Sequence, residues 1–194
     1  MPDTKLQIIS GKFKGKKLHL PEGARPTQQK ARGAVFNMLS EIIGLGPAVR
    51  VREPSPRDDN WTVWDAFAGS GALGIEFISR FGAKRAIFTD TDPEAIACIK
   101  ENTKNITDCE IVVRKPLARF DSVEGNLIIF IDPPYSAAKL GEKLIAELEA
   151  NAPAGTIVVW EIENNEELIM NNEQWATLKD KTHGRARFLV LQKI

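Results

Sequence analysis

The sequence predicts an α/β protein with a mostly parallel sheet, an antiparallel C-terminal hairpin and an N-terminal β-hairpin extension. From residue 61 onward, short runs of β-branched and aromatic residues alternate with longer segments of helical spacing, as in strand–helix–strand units. Near the C-terminus two strand-like runs, 174–182 and 185–192, are separated only by His183 and Gly184. So short a connection suits an antiparallel pair, because parallel strands need a longer crossover.

The N-terminal region contains a second, smaller hairpin pattern. Two partly alternating runs, 6–10 and 16–20, flank a turn bounded by glycines. Thr27 can cap a helix that extends to about Ile43, and Pro26 keeps the residue before it extended. The chain is therefore predicted to comprise an extension over residues 1–43, a Gly- and Pro-rich loop over residues 44–60 and a main domain over residues 61–194.

The main domain supplies five strands and three helices before the C-terminal hairpin. The strand candidates are apolar runs at residues 62–67, 85–89, 110–113, 127–131 and 156–160. The helical segments between them cover residues 72–81, 93–105 and 137–150. The second helix has the clearest start, because Asp92 can cap it and Pro93 suits its first turn. This order predicts a parallel sheet with helices on both faces.

Composition and charge favour a cytoplasmic protein with a polyanionic partner. The content of hydrophobic residues (43%) and charged residues (27%) is ordinary for a soluble globular protein. The sequence shows no apolar run long enough to span a membrane, no signal-peptide pattern and no CxxC motif. Residues 1–33 hold eight Lys or Arg against two acidic residues, a net charge of +6, which the rest of the chain balances with −6. A basic arm suggests contact with a polyanion at one end, although a solvated basic hairpin has the same pattern.

The first candidate site is the turn Asp65-Ala-Phe-Ala-Gly-Ser-Gly-Ala-Leu-Gly74, which follows the first predicted strand. Its G-x-G-x-x-G spacing lets the backbone approach a ligand, and Asp90 or Asp92 could accept from ribose hydroxyls. These features fit dinucleotides and other adenosyl ligands alike. Asp65 favours S-adenosylmethionine, because a carboxylate repels a pyrophosphate but attracts a sulfonium and an ammonium group. The alternative is that Asp65 only caps the loop.

The second candidate site is Asp132-Pro-Pro-Tyr135, at the end of the fourth predicted strand. Because the prolines have no N–H, the Pro133 carbonyl and the Asp132 carboxylate can both present acceptors to an exocyclic base amine. Such contacts would orient the nitrogen towards a methyl group held in line. Tyr135 could stack on the base. The alternative is a strand end stopped by prolines, with the tyrosine as packing.

With these motifs the chain resembles class I S-adenosylmethionine-dependent methyltransferases that carry an Asp/Asn-Pro-Pro-Tyr/Phe motif. Residues 8–18, Arg25-Pro-Thr27, Arg32 and the closing Gly184-Arg-Ala-Arg-Phe188 resemble the signature of the RsmD family of 16S rRNA (guanine-N2)-methyltransferases. The resemblance implies a Rossmann-like sheet, S-adenosylmethionine as cofactor and methylation of the N2 amine of a guanine in small-subunit rRNA. It also implies that the protein binds 16S rRNA or the small ribosomal subunit and requires neither a metal ion nor a membrane. We expect a monomer.

The resemblance also assigns roles to individual positions. The guanine amine would be held by Asp132, Pro133, Pro134 and Tyr135. The cofactor would be held by Asp65, Phe67, Ala68, Gly69, Ser70, Gly71 and, at the ribose, Asp90. RNA would be contacted by Lys12, Lys14, Lys16, Arg25, Thr27 and Arg32.

Some positions depart from the family pattern. Gln29 and Gly33 stand where the family usually has acidic residues, and Lys115 stands where an Asp or Asn usually accepts from the adenine amine. Either another acceptor replaces that contact or cofactor affinity is low. Glu161 and Glu163 follow the fifth predicted strand and could reach the crevice, but a solvated acidic end is the expectation.

Three other functions remain open on the sequence alone. One is a DNA adenine-N6 methyltransferase, although 194 residues leave no sizeable target-recognition segment. Another is an NAD(P)-dependent oxidoreductase, which Asp65 and the double proline argue against. The third is an RNA-binding paralogue with weakened catalysis, suggested by Lys115. The sequence names neither the target guanine nor the form of the substrate, naked rRNA or assembled subunit.

Overall fold

A computed structural model describes residues 6–23, 29–43, 60–115, 125–164 and 173–194. The strands are β1 Trp61–Asp65, β2 Arg85–Thr89, β3 Glu110–Arg114, β4 Asn126–Ile131, β5 Ile157–Glu163, β6 Trp175–His183 and β7 Ala186–Lys193. The helices are α1 Gln29–Ile42, α2 Ala72–Phe81, α3 Pro93–Thr103 and α4 Lys139–Asn151. None of the described helices is long and apolar enough to cross a membrane.

The seven strands form a sheet in the order β3-β2-β1-β4-β5-β7-β6. Strands β1 to β5 pair with one another in parallel, whereas β7 is antiparallel to both β5 and β6. The chain runs outward from β1 to β3 and then returns to β4 on the other side of β1. Ligands of open α/β sheets bind at such a reversal of the strand order, called the switch point, beyond the carboxyl ends of the strands. The predicted α/β fold, with its mostly parallel sheet and C-terminal hairpin, is confirmed.

Two hydrophobic clusters cover the two faces of the sheet. One contains buried residues of α1, α2 and α3, with Phe36, Phe77 and Phe130 at its centre. The other contains α4 residues such as Leu148, packed with strand residues such as Trp160. Helices therefore lie on both faces, as the strand–helix alternation predicts.

The N-terminal hairpin is shorter than the sequence predicts. Its antiparallel pairing is a single bridge between Gln7 and Lys17. Its apolar side chains are nevertheless buried in the same cluster as α1, α2 and α3, with Ile8 fully buried and Leu6 and Leu18 nearly so. The extension is thus part of the main core. Arg25, Thr27 and residues 44–59 of the predicted loop lie outside the described residues, and the three-part division stays a prediction.

A buried carboxylate fastens the N-terminal hairpin to α2. Glu76 is fully buried and accepts hydrogen bonds from the backbone N–H groups of Ile9 (2.7 Å) and Ser10 (3.0 Å). It also pairs with Arg80 (2.6 Å) and, at 3.8 Å, with Arg32. Arg32 is itself fully buried and donates to the backbone oxygen of Gln7.

The prediction that Arg32 contacts RNA phosphates is therefore wrong. A fully buried guanidinium cannot reach a phosphate, and Arg32 instead joins α1 to Glu76 and the N-terminal hairpin. Buried charges are rare in proteins unless they are paired, and this one has its partner across the core. The error arose because the family resemblance assigned Arg32 to RNA from its sequence position, and the net charge of +6 over residues 1–33 agreed with that role without showing which basic side chains are exposed.

Candidate active site

Asp65 ends β1 and is buried, with 2% of its surface exposed. Its Oδ2 accepts from the backbone N–H of Gly74 at 2.9 Å. Burial raises the pKa of Asp65 to about 7, the Gly74 N–H opposes this rise, and the nearby Asp132 and Asp90 add to it. Asp65 therefore does cap the loop, but it also lies among other carboxylates at the switch point. The combined negative charge favours a cationic ligand there.

The three glycines of the turn have different structural roles. A side chain at Gly69 would meet no atom within 4 Å, so the backbone is open to a ligand at this position. Gly71 has a left-handed conformation (φ 78°) at the start of α2. A Cβ on Gly74 would lie 2.4 Å from Cε1 of Phe88, so this glycine is needed for α2 to pack against β2. The glycine spacing thus combines an open backbone with close helix–sheet packing.

Asp90 follows β2 and faces the same turn. Its Oδ2 accepts from the backbone N–H of Gly69 at 2.8 Å, and its Oδ1 accepts from that of Asp92 at 2.9 Å. Each carboxylate oxygen can accept more than one hydrogen bond, so these contacts leave capacity for a ribose hydroxyl. Between the two candidates for the ribose, the geometry favours Asp90, because Asp92 instead caps α3 through the Glu94 N–H.

Asn102 supports the turn from behind, a role that sequence reasoning missed. This buried α3 side chain donates from Nδ2 to the backbone oxygens of Ser70 (2.8 Å) and His19 (2.9 Å). Its Oδ1 accepts from the N–H of His19 at 2.8 Å. The one signal in the sequence was an Asn inside a predicted helix, a position that this residue type disfavours. It links the N-terminal hairpin to the glycine turn.

The second motif lies next to the first, because β4 is the neighbour of β1. Asp65 pairs in register with Phe130, so Asp132 lies two residues further along the adjacent strand. Pro133 is buried, and a Cβ on Gly141 of α4 would lie 3.3 Å from its Cγ. Tyr135 is 40% exposed and begins a short 3-10 turn. The structure therefore brings the two predicted motifs together in one crevice.

Glu161 also faces this crevice, which corrects the expectation of a solvated acidic end. Its Oε1 accepts from the Tyr135 hydroxyl at 3.1 Å, and its Oε2 is buried without a hydrogen-bond partner among the described residues. Burial, followed by the charge of Asp132, raises the pKa of Glu161 to about 8. The sequence prediction ended the fifth strand at residue 160, whereas pairing with β7 extends it to Glu163.

Arg185 closes the outer side of the crevice. Its guanidinium donates to Oε1 of Glu163 at 2.6 Å, and its Cζ lies 6.0 Å from the centre of the Tyr135 ring. Arg185 and Glu163 thus flank the exposed aromatic ring on the solvent side.

Lys115, at the position expected to contact adenine, is exposed directly after β3. Residues 116–124 lie outside the described part of the chain. The carbonyl of Arg114 points towards Asp90, whose N–H donates to it at 3.3 Å. A carbonyl oxygen can accept two hydrogen bonds, so that of Arg114 is a candidate acceptor for the adenine amine.

The predicted RNA-contacting lysines lie on the turn of the N-terminal hairpin. Lys12 pairs with Asp108 at 2.7 Å, and both side chains are about half exposed (60% and 49%). The ammonium groups of Lys12 and Lys16 lie 5.5 and 6.0 Å from the centre of the Phe13 ring, and Lys14 is exposed. Exposed ion pairs of this kind are weak, so Asp108 holds Lys12 only loosely.

Comparison with known proteins identifies the relatives of this architecture. The family model described as Conserved hypothetical protein 95 matches residues 6–192. The Ribosomal RNA small subunit methyltransferase D of Escherichia coli K12 is 29% identical, over 97% of this chain and 90% of its own length. Among solved structures, the putative methyltransferase yhhF of Escherichia coli superposes with a TM-score of 0.74 at 27% identity, covering 97% of both chains.

A more distant neighbour shares the fold. The RNA methyltransferase of Salinibacter ruber, solved in complex with S-adenosyl-L-homocysteine, has a TM-score of 0.56 at 16% identity. The likeness covers 86% of this chain and 92% of that protein. It extends the agreement in fold beyond the family itself.

Proposed function

The chain belongs to the Conserved hypothetical protein 95 family, the RsmD family that its motifs resemble, and from this premise we propose that it is an S-adenosylmethionine-dependent rRNA methyltransferase. Its acceptor is the exocyclic N2 amine of a guanine in 16S rRNA of the small ribosomal subunit. One observation carries the proposal: two sites lie side by side where the order of the strands reverses. Asp65, a carboxylate suited to a cationic cofactor, ends β1. The motif Asp132 to Tyr135, which can accept hydrogen bonds from a base amine, follows the neighbouring strand β4.

The crevice fits S-adenosylmethionine. Asp90 and Asp132 both lie near Asp65, since the charge of each raises the pKa of Asp65. Both the sulfonium and the ammonium group of S-adenosylmethionine are cationic, so this excess of carboxylates favours them. The open backbone at Gly69 leaves room for close approach. When bound, the cofactor supplies an electrophilic methyl group, and the Salinibacter ruber protein of the same fold was solved with the corresponding product.

The Asp-Pro-Pro-Tyr motif orients the acceptor amine. The Asp132 carboxylate and the Pro133 carbonyl accept the two N–H groups, which aligns the nitrogen lone pair with the methyl group. Tyr135 stacks on the guanine, since its ring is exposed on a rigid turn. The proton released from nitrogen passes to Asp132 or to water. Pro134 keeps the turn rigid and adds no N–H that would compete for the acceptors.

RNA binding is assigned to the N-terminal turn. Lys12, Lys14 and Lys16 lie on one turn that α2 and α3 hold in place. Positive charge on this surface attracts the RNA backbone, and the base motif supplies selectivity. Arg25 and Thr27 remain candidates from the family resemblance. A monomeric state, a cytoplasmic location and independence from metal ions also stay predictions.

The test is methyl transfer from tritiated S-adenosylmethionine to small ribosomal subunits from cells that lack this protein, followed by nucleoside analysis. Naked rRNA and duplex DNA serve as parallel substrates. We expect label in N2-methylguanosine, and we expect Asp132→Ala to abolish it while cofactor binding persists. Label in DNA adenine would assign the protein to the adenine-N6 methyltransferases. No label in any substrate, with cofactor binding also absent, would favour the weakened RNA-binding paralogue.

A further inference from the structure

We infer that Glu161 reads the Watson–Crick edge of the target base, its Oε2 accepting the N1–H of guanine beside the N2 amine held by Asp132. This inference rests on the proposed function and adds to it the residue that distinguishes guanine from adenine. Neither motif that the sequence analysis singled out contains Glu161, since it lies on β5 rather than at the ends of β1 or β4.

The register of the sheet places Glu161 beside Asp132. Ile131, the last residue of β4, pairs with Trp160 of β5, so Asp132 directly after β4 lies beside Glu161 of β5. Neighbouring strands lie about 4.8 Å apart. Ile131 and Trp160 are buried in the α4-side cluster, and successive side chains alternate between faces. Asp132 and Glu161 therefore both face the other side of the sheet.

Asp65 faces that same side. It pairs with Phe130, which belongs to the cluster of α1, α2 and α3. Three carboxylates, at the end of β1, directly after β4 and on β5, thus line one crevice. The charge of Asp132 raises the pKa of both Asp65 and Glu161. Asp65 lies at the cofactor end of this row and Glu161 at the other end.

The two oxygens of Glu161 differ in a way that points to a ligand. Oε1 has a donor, the hydroxyl of Tyr135 at 3.1 Å, and this hydrogen bond fixes the orientation of the carboxylate. Oε2 is buried and has no donor among the described residues. Buried polar atoms normally have a hydrogen-bond partner, so a buried acceptor at a substrate crevice is completed by a donor on the substrate.

Guanine supplies that donor in the required place. Its N1–H lies next to the N2 amine on the same edge of the base, whereas adenine has an acceptor, N1, beside its N6 amine. When Asp132 and the Pro133 carbonyl accept the two amine hydrogens, N1–H is the remaining donor on this edge. An adenine in the same position would oppose its N1 lone pair to the Glu161 carboxylate. A site built to accept a hydrogen bond rejects an analogue that lacks the donor.

The experiment replaces the target guanine by 2-aminopurine, which keeps the amine at C2 but has an acceptor at N1. Once the target guanine is identified, wild type and Glu161→Gln are compared on both RNAs by kcat/KM at pH 8.5. This is above the pKa of about 8 to which burial raises Glu161, so its carboxylate is ionised and Oε2 is an acceptor. We expect wild type to prefer guanine by at least about 100-fold. Glu161→Gln can donate to N1, so we expect its activity on 2-aminopurine to exceed that of wild type and its preference for guanine to fall at least tenfold. Glu142→Gln, an exposed glutamate of α4, serves as the matched control that leaves both values unchanged.

The outcomes separate this inference from the proposed function. If wild type methylates guanine but Glu161→Gln leaves the preference unchanged, the inference fails and the proposed function stands. If wild type methylates both bases equally, N1–H is not read and the inference fails in the same way. If wild type methylates no guanine, both fail. Cofactor affinity measured in parallel guards against misfolding, because Glu161→Gln should leave it unchanged.

Discussion

Replacement of Asp65 by Asn should stabilise the free protein while weakening cofactor binding. Burial raises the pKa of this carboxyl group from 3.8 to about 7. The folded state therefore binds the Asp65 proton more tightly than the unfolded state does. The cost of ionising Asp65 is absent below about pH 4 and is fully present above about pH 7. Asn resembles the protonated form, still accepts from the Gly74 N–H and carries no such cost.

The magnitude follows from the displacement of the pKa. One pKa unit corresponds to about 1.4 kcal/mol, so the full cost is roughly 4 kcal/mol. Integrating proton binding between the two states gives an advantage for Asn of about 1.7 kcal/mol at pH 5, rising to about 4 kcal/mol at pH 8. Cofactor affinity should change in the opposite sense. Wild-type Asp65 is about ten times more ionised at pH 8 than at pH 6, so its cofactor affinity should rise about tenfold over this range and that of the variant should not.

The assay is urea-induced unfolding at pH 5, 6, 7 and 8, with calorimetric titration of S-adenosylmethionine at pH 6 and 8. Asp180→Asn is the matched control: Arg187 lowers the pKa of that exposed carboxyl group, so its effect on stability should be constant across this range. The reasoning is refuted if Asp65→Asn is no more stable than wild type at pH 8. It is also refuted if both proteins show the same pH dependence of cofactor affinity.

Three further predictions concern the N-terminal hairpin. Glu76→Ala leaves a buried guanidinium without its partner and should lower the free energy of unfolding by about 3–5 kcal/mol, measured by urea titration. Gly11→Ala should lower the free energy of unfolding more than Gly15→Ala does. Both glycines have φ above 80°, but only at Gly11 would a Cβ clash, at 1.8 Å from the backbone oxygen of Ser79. Equal unfolding midpoints for the two variants would contradict this. Joint replacement of Lys14 and Lys16 by Gln should weaken rRNA binding and reduce the slope of log K against log salt by about 1–2, with unchanged cofactor affinity.

The fold was largely predictable because its elements are determined by local patterns. Alternating apolar runs marked β1 to β4, and the proline after Asp92 marked the start of α3. The length of β5 was not predictable in this way. Its continuation to Glu163 depends on hydrogen bonds to β7, a strand that begins more than twenty residues later in the chain. Similarly, the N-terminal hairpin forms few strand pairs of its own because its backbone bonds partly to α2 and α3.

The candidate site was likewise predictable where its residues act locally and not where they depend on distant contacts. Glycine and proline have local conformational consequences, so the turn after β1 and the motif after β4 could be recognised from their letters, and the sheet brings them together. Arg32, Asn102 and Glu161 were misjudged or missed because each depends on a partner far away in sequence. A charged or amide side chain on a helix or strand reads as solvent-exposed until its tertiary neighbours are known.

The attachment of the N-terminal hairpin also limits how this protein can be divided or recombined. Glu76, Ser79 and Asn102 bind its backbone, and Ile8 and Leu18 complete the core beneath it. Removing the hairpin would therefore uncover apolar surface and leave a buried carboxylate without its donors. The hairpin therefore cannot be exchanged between proteins of this fold as an independent module. It can be transplanted only together with the surfaces of α2 and α3 that bind it.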